Sequence, residues 1–163
     1  MPKVVISDTS TLILFQKIDE FDLLKKVYGN LITTPEVVEE YGDKLPDWIE
    51  IKEVGDQKYQ DFLETQVDYG EASAIALASE FEDVLLLLDD LKARKLARRL
   101  NFKITGTLGI IQKAKQLSLI DREKPLIEMG KWNRWIHAEK VPRDIIEEIL
   151  RINNELPAPN SGE

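Results

Sequence analysis

The feature that most narrows the fold is the run Val84-Leu85-Leu86-Leu87-Leu88, five apolar residues that end on Asp89-Asp90. A strand with one wet face alternates apolar and polar residues. An uninterrupted run of this length is buried on both faces, as in the middle of a parallel sheet. A shorter run, Val4-Val5-Ile6, likewise leads into Ser7-Asp8. Around these two, strand and helix patterns alternate. Strands are expected at 3–7, 31–33, 51–54, 84–88 and 103–105. Helices are expected at 11–17, 20–28, from Thr34-Pro35 to near Gly42, and at 56–66, 69–81, 91–100 and 107–117. Thr34-Pro35 is a strong start signal, a hydroxyl cap followed by proline in the first helical turn. The alternation indicates an α/β fold with a mostly parallel sheet.

After Asp121 the pattern changes. Residues 124–132 and 142–154 read as helices opened by Pro125 and Pro142, with Trp132, Trp135 and Ile136 adding apolar bulk between them. We expect a core domain over 1–120, a helical extension over 121–155 packed on that core or on a partner subunit, and a flexible tail at 156–163. A chain of 163 residues is long enough to bury a real core. No apolar stretch is long enough to cross a bilayer and the first residues lack a secretory signal, so the expected location is cytoplasmic, away from membranes.

Missing residue types restrict the chemistry. Without cysteine there is no disulfide, thiolate nucleophile or cysteine-ligated zinc, and the single histidine, His137, rules out a multi-histidine metal site within one chain. Carboxylates are plentiful, with 30 Asp plus Glu against 22 Lys plus Arg. Chemistry in such a chain would run on carboxylates, which gather comfortably around hard cations such as Mg²⁺ or Mn²⁺. The net charge of −8 disfavours nucleic acid as a partner, but its distribution does not. Residues 91–120 hold eight basic side chains, among them Lys92, Arg94 and Arg98, and no acidic one. That block is either a polyanion footprint or the solvated face of an amphipathic helix.

Ligands of a parallel α/β sheet bind beyond the carboxyl ends of its strands, which is where Asp8 and Asp89-Asp90 fall. Each also precedes a helix and so suits a capping role. Glu71 shares a helix face with Ala74, Ile75 and Ala78, which aims it at the core; a buried carboxylate there needs a cation or a hydrogen-bonding partner. Its alternative is a capping box with Asp68. On the helix opened by Thr34-Pro35, Glu40 lies about 110° from the centre of the apolar arc, against about 150° for Glu36 and Glu39. Glu40 is therefore the best placed of those three.

These residues, in this order, resemble a PIN-domain protein. The likeness rests on Val4 to Ser10, on Thr34 to Glu40, on Gly70 to Ala78, on Leu87 to Arg94 and on Thr105 to Gly109. It is closest to the prokaryotic PIN-like subfamily known as domain of unknown function 3368, related to VapC-type toxins. It is strong over roughly residues 3–120 and looser beyond them. The resemblance implies a three-layer fold with a parallel sheet in strand order 3-2-1-4-5. It also implies a Mg²⁺- or Mn²⁺-dependent ribonuclease. The family's acids fall on Asp8, Glu40, Glu71 and Asp90 as catalytic residues, with Asp8, Glu71, Asp89 and Asp90 as metal ligands. Ser10 and Thr107 fall where the family places hydroxyls. Lys92, Arg94 and Arg98 are candidates to hold flanking phosphates.

The implied partners are an RNA substrate, a small antitoxin protein and a second copy of the chain in a homodimer. Two rival functions differ in class. A non-catalytic RNA-binding or protein-interaction module would keep the fold and its acids. A phospho-acceptor receiver domain would carry its acidic pair after the first strand, whereas here the pair follows the fourth.

Overall fold

The computed structural model describes residues 2–17 and 19–117. The expected helices at 124–132 and 142–154 and the tail at 156–163 lie outside the described residues. The chain divides into one compact unit ending at Thr107 and a second beginning at Leu108. Among the described residues no helix is long and apolar enough to cross a membrane.

Five parallel strands form one sheet in the order β3-β2-β1-β4-β5. They are β1 (Val4–Ser7), β2 (Leu31–Thr33), β3 (Ile49–Ile51), β4 (Val84–Leu87) and β5 (Lys103–Thr105). The helices are α1 (Thr9–Lys17), α2 (Phe21–Tyr28), α3 (Pro35–Tyr41), α4 (Gln57–Leu63), α5 (Tyr69–Ala78), α6 (Leu91–Arg99) and α7 (Thr107–Gln116). This is the α/β architecture read from the sequence, in the strand order that the family resemblance implies.

The apolar run at 84–88 behaves as its composition requires. Val84, Leu86 and Leu88 join the core cluster built from α5 and α6, while Leu87, pointing the other way, is also fully buried. α5 is the inner helix of that layer: every residue from Gly70 to Ala78 is buried. α5 has no wet face along that stretch, so sharing a face with Ala74, Ile75 and Ala78 does not set Glu71 apart from its neighbours.

The bounds of β3, α1, α4 and α5 differ from expectation by two residues or more. β3 covers 49–51 instead of 51–54: it pairs with β2 through Leu31↔Ile49 and Thr33↔Ile51, and Ile49 is the buried anchor at 5% exposure while Ile51 is 52% exposed. α1 begins at Thr9, two residues early, because the Asp8 carboxylate caps it by accepting the Thr11 N–H at 3.0 Å. α4 and α5 each end three residues before the expected limit, at Leu63 and Ala78. The stop of α3 matches expectation, since Gly42 follows it in the left-handed region that glycine adopts without strain.

The strand order places the site. β1 is central, with β2 on one side and β4 on the other, so connections leaving β1 and β4 run to opposite edges and open a crevice between their carboxyl ends. The β1–β4 register pairs Ser7 with Leu87, and the Asp8 N–H donates to the Leu87 carbonyl at 3.2 Å. Asp8 and Asp89-Asp90 thus emerge side by side.

Candidate active site

Four elements deliver carboxylates to this crevice: β1 gives Asp8, α3 gives Glu40, α5 gives Glu71, and the end of β4 gives Asp89 and Asp90. Asp8 is the innermost, at 0% exposure. Its Oδ1 accepts the Thr11 N–H, whereas its Oδ2 is buried without a hydrogen-bond partner. Burial, then the Asp89 charge, push this carboxyl well above the usual carboxylate range; Glu71 adds to the effect and the Thr11 hydrogen bond opposes it.

Asp89 is the most firmly held of the five. Its Oδ2 accepts hydroxyl hydrogen bonds from Thr11 at 2.8 Å and Thr107 at 2.6 Å, and its Oδ1 accepts the Thr107 N–H at 2.7 Å. Gly106 permits this approach, since a Cβ there would lie 2.8 Å from Asp89 Oδ1 and 2.7 Å from Arg94 Nη1. Asp90 is exposed and caps α6, accepting the Ala93 N–H at 2.9 Å through Oδ1.

Glu71 forms its half of the capping box, with Oε2 accepting the Asp68 N–H at 3.2 Å. The capping box takes up only one of its oxygens, and the other lies outside that bond. Burial, then Asp90, raise its pKa to about 7, with Asp68 and Glu40 adding repulsion. Glu40 bridges two elements: Oε2 accepts the Thr9 hydroxyl at 2.7 Å and Oε1 the Gly70 N–H at 2.8 Å. A Cβ at position 70 would stand 2.5 Å from Glu40 Oε2, so glycine is what lets α5 come this close. α3 and α5 are further tied where the Thr34 and Ser73 hydroxyls meet at 2.6 Å. Ser73 spends its proton on the Gly70 carbonyl, so Thr34 is the donor.

All five expected acids thus reach one end of the sheet. The hydroxyls came out differently. Thr107 is fully buried against Asp89, but the neighbours of Ser10, Thr9 and Thr11, are the ones that reach Glu40 and Asp89. Ser10 itself is half-buried on α1. The signal for Thr9 and Thr11 was present as three hydroxyl residues following Asp8; which of them face the crevice depends on where α1 starts. Of the basic candidates, Arg94 is half-buried beside Asp89 and over Gly106, and burial followed by the Arg98 charge lowers its pKa. Lys92 and Arg98 are exposed on α6.

The donor set suits a hard divalent cation: every candidate ligand is a carboxylate oxygen, and the innermost one is buried with no partner. Among the described residues no group of three or more His, Asp or Glu side chains is disposed to hold a metal ion as they stand. Mg²⁺ does not require such a group, since it commonly keeps several waters and takes only one or two carboxylates. Asp8 has two such carboxylates for neighbours, Asp89 and Glu71, whose charges both act on it.

A family model described as PIN domain, of the class named domain of unknown function 3368, matches residues 4–155. No curated protein and no solved structure matches the chain.

Proposed function

This chain belongs to the PIN-domain family, typically one of nucleases that bind Mg²⁺, and on that footing we propose that it is a metal-dependent endoribonuclease. The observation that carries the reading is Asp8: a fully buried carboxylate, facing two other carboxylates, with one oxygen lacking any partner. A fold that only had to be stable would gain by replacing such a group with an apolar one.

Asp8 with a neighbouring carboxylate, Asp89 or Glu71, would hold the cation, and Asp90 beside Glu71 would add negative charge to the site. When bound, Mg²⁺ or Mn²⁺ lowers the pKa of a coordinated water and stabilises charge on an attacked phosphate. The remaining tasks fall to the chain. Thr11 and Thr107 fix the Asp89 carboxylate by hydrogen bonds to both of its oxygens. Glu40, aligned by Thr9 and Gly70, stands beside Glu71 as a further acceptor for a proton. Arg94, close to Asp89, offers a phosphate a charged fork at the edge of the acidic crevice, and Lys92 and Arg98 extend the positive surface along α6. A role as the toxin of a toxin–antitoxin pair, with a small antitoxin partner, cytoplasmic residence and homodimerisation, follows as part of this reading.

The test is cleavage of a labelled RNA with and without Mn²⁺ by wild type, Asp8→Asn and Asp90→Asn. The expected result is metal-dependent cleavage that both substitutions abolish. A second reading, a non-catalytic RNA-binding or protein-interaction module, draws on the hydrogen bonds by which Glu40, Glu71, Asp89 and Asp90 all serve the fold. It is favoured if the wild type binds RNA and leaves it intact with metal present.

A further inference from the structure

Beside the acidic crevice, α6 concentrates positive charge in a chain whose net charge is −8. The helix carries Lys92, Arg94, Lys95, Arg98 and Arg99 and no acid. Ala93, Leu96 and Ala97 are buried, and stepping about 100° per residue puts all five cations on the remaining arc. Among the described residues, none of these five side chains makes an ion pair or a hydrogen bond. The arrangement works against the helix. Arg94 with Arg98, and Lys95 with Arg99, are like charges four residues apart, which repel. Lys92 and Arg94 stand in the first turn, where the helix dipole disfavours cations. Glutamate at one or two of these positions would relieve the repulsion, and the chain uses acids freely elsewhere. Stability alone therefore does not account for a helix this basic; a polyanion laid along it does.

The helix meets the crevice at a defined point. A Cβ at Gly106 would lie 2.7 Å from Arg94 Nη1 and 2.8 Å from Asp89 Oδ1, so this guanidinium borders a crevice acid. Asp90 caps the same helix. Arg98 stands one turn farther from the crevice, about 6 Å along the axis, a step similar to that between successive phosphates of one strand. Its charge acts on Arg94, which places the two side by side. Lys95 and Arg99 repeat the step in a parallel row, and both are exposed. No aromatic residue lies on α6, and its one exposed apolar side chain, Leu91, stands at the crevice end. The helix thus offers charge without a platform for stacking bases and without an apolar face for lipid.

We propose that Arg94, Arg98, Lys95 and Arg99 form a track for the RNA backbone, which holds the strand on one side of the bond to be cut by its phosphates and without regard to base sequence. The inference rests on the nuclease reading for the part of the strand that enters the crevice. It adds Lys95 and Arg99, which are remote from the acids, to the substrate surface.

The test uses the full chain with fluorescein-labelled twelve-nucleotide oligouridylate and oligoadenylate. Binding is read by fluorescence anisotropy in EDTA, which keeps the RNA whole, and cleavage of the same RNAs is followed separately with Mn²⁺. The site variant is Lys95→Gln with Arg99→Gln; Lys25→Gln with Lys26→Gln removes two exposed cations from α2 instead. Far-UV circular dichroism verifies folding, and relief of like-charge repulsion should leave the site variant at least as helical as wild type. At about 0.1 M salt the site variant should bind both RNAs about ten-fold more weakly, and its plot of log Kd against log salt should flatten by about 1.4, for two lost phosphate contacts on a single strand. In cleavage it should raise KM and leave kcat unchanged. The α2 variant should behave as wild type in every respect. A site variant that binds and cleaves as wild type does would overturn the track and leave the nuclease reading standing. A loss confined to one of the two RNAs, an equal loss in the α2 variant, equal affinity of wild type for poly-glutamate, or no RNA binding would also overturn the track. The expected binding losses in a wild type that leaves RNA whole with Mn²⁺ would support the track and remove the nuclease reading.

Discussion

Asp8 and Asp89 are joined through a single residue: Thr11 gives its backbone N–H to Asp8 Oδ1 at 3.0 Å and its hydroxyl to Asp89 Oδ2 at 2.8 Å. Two carboxylates that repel each other are thus oriented from one buried point on α1. Thr11→Val keeps the shape and the N–H but removes the hydroxyl. It should cost about 1–2 kcal/mol in urea unfolding and weaken Mn²⁺ binding by about 10-fold or more, as loss of a group that orients a ligand does. Thr107 supplies the other hydroxyl to the same oxygen, so Thr11→Val and Thr107→Val should be non-additive in a double-mutant cycle. Strict additivity would show that the two hydroxyls act separately.

Gly70→Ala separates helix propensity from site geometry. Alanine normally favours a helix by about 1 kcal/mol over glycine, yet here its Cβ would meet Glu40 Oε2 at 2.5 Å and Thr9 Oγ1 at 2.7 Å. The clash should win, for a net loss of about 1–3 kcal/mol, and a crystal structure of the variant should show Glu40 turned away from Thr9. A variant as stable as wild type with Glu40 unmoved would remove the argument for Gly70.

Asp90 both caps α6 and is assigned to the site, and two substitutions divide these roles. Asparagine is as good a cap as aspartate, so Asp90→Asn should unfold within a few tenths of a kcal/mol of wild type while losing RNA cleavage. Asp90→Ala should lose cleavage and about 1 kcal/mol of stability as well. If Asp90→Asn cleaves RNA normally, Asp90 is only a cap.

The pKa of Glu71 sets a pH dependence. A carboxyl with a higher pKa in the folded chain binds its proton more tightly there than when unfolded. Its contribution is therefore present below the ordinary value of 4.5 and lost as pH rises through about 7. Without metal, thermal stability should fall across that window, and it should fall less in Glu71→Gln. Asp8 acts in the same direction. Mn²⁺ should restore the midpoint at the alkaline end and do little at the acid end, where protons compete for the carboxylates. An equal fall in Glu71→Gln, read by calorimetry, would assign the effect elsewhere.

How far the sequence revealed this arrangement depended on the kind of signal. The run at 84–88 and Thr34-Pro35 carried local physics strong enough to fix a strand and a helix start, and β4 and α3 sit accordingly. Asp8, Glu71, Asp89 and Asp90 could be singled out because strand ends and a first helical turn are local features. Glu40 emerged as a borderline position on a helical wheel, but the reason it matters, the bonds to Thr9 and Gly70, joins residues about thirty positions apart. The wheel also set Glu36 far from the core, although one of its oxygens is buried. Thr9 and Thr11 were hidden by a two-residue error in the start of α1.

The most direct measurement is a Mn²⁺ titration followed by electron paramagnetic resonance, comparing wild type with Asp8→Asn and using thermal unfolding to verify that both are folded. The wild type should remove free Mn²⁺ signal in a saturable manner, and Asp8→Asn should bind at least about ten-fold more weakly. Equal binding by the two folded proteins, or none by the wild type, would contradict the assignment of the buried Asp8 carboxylate to a cation.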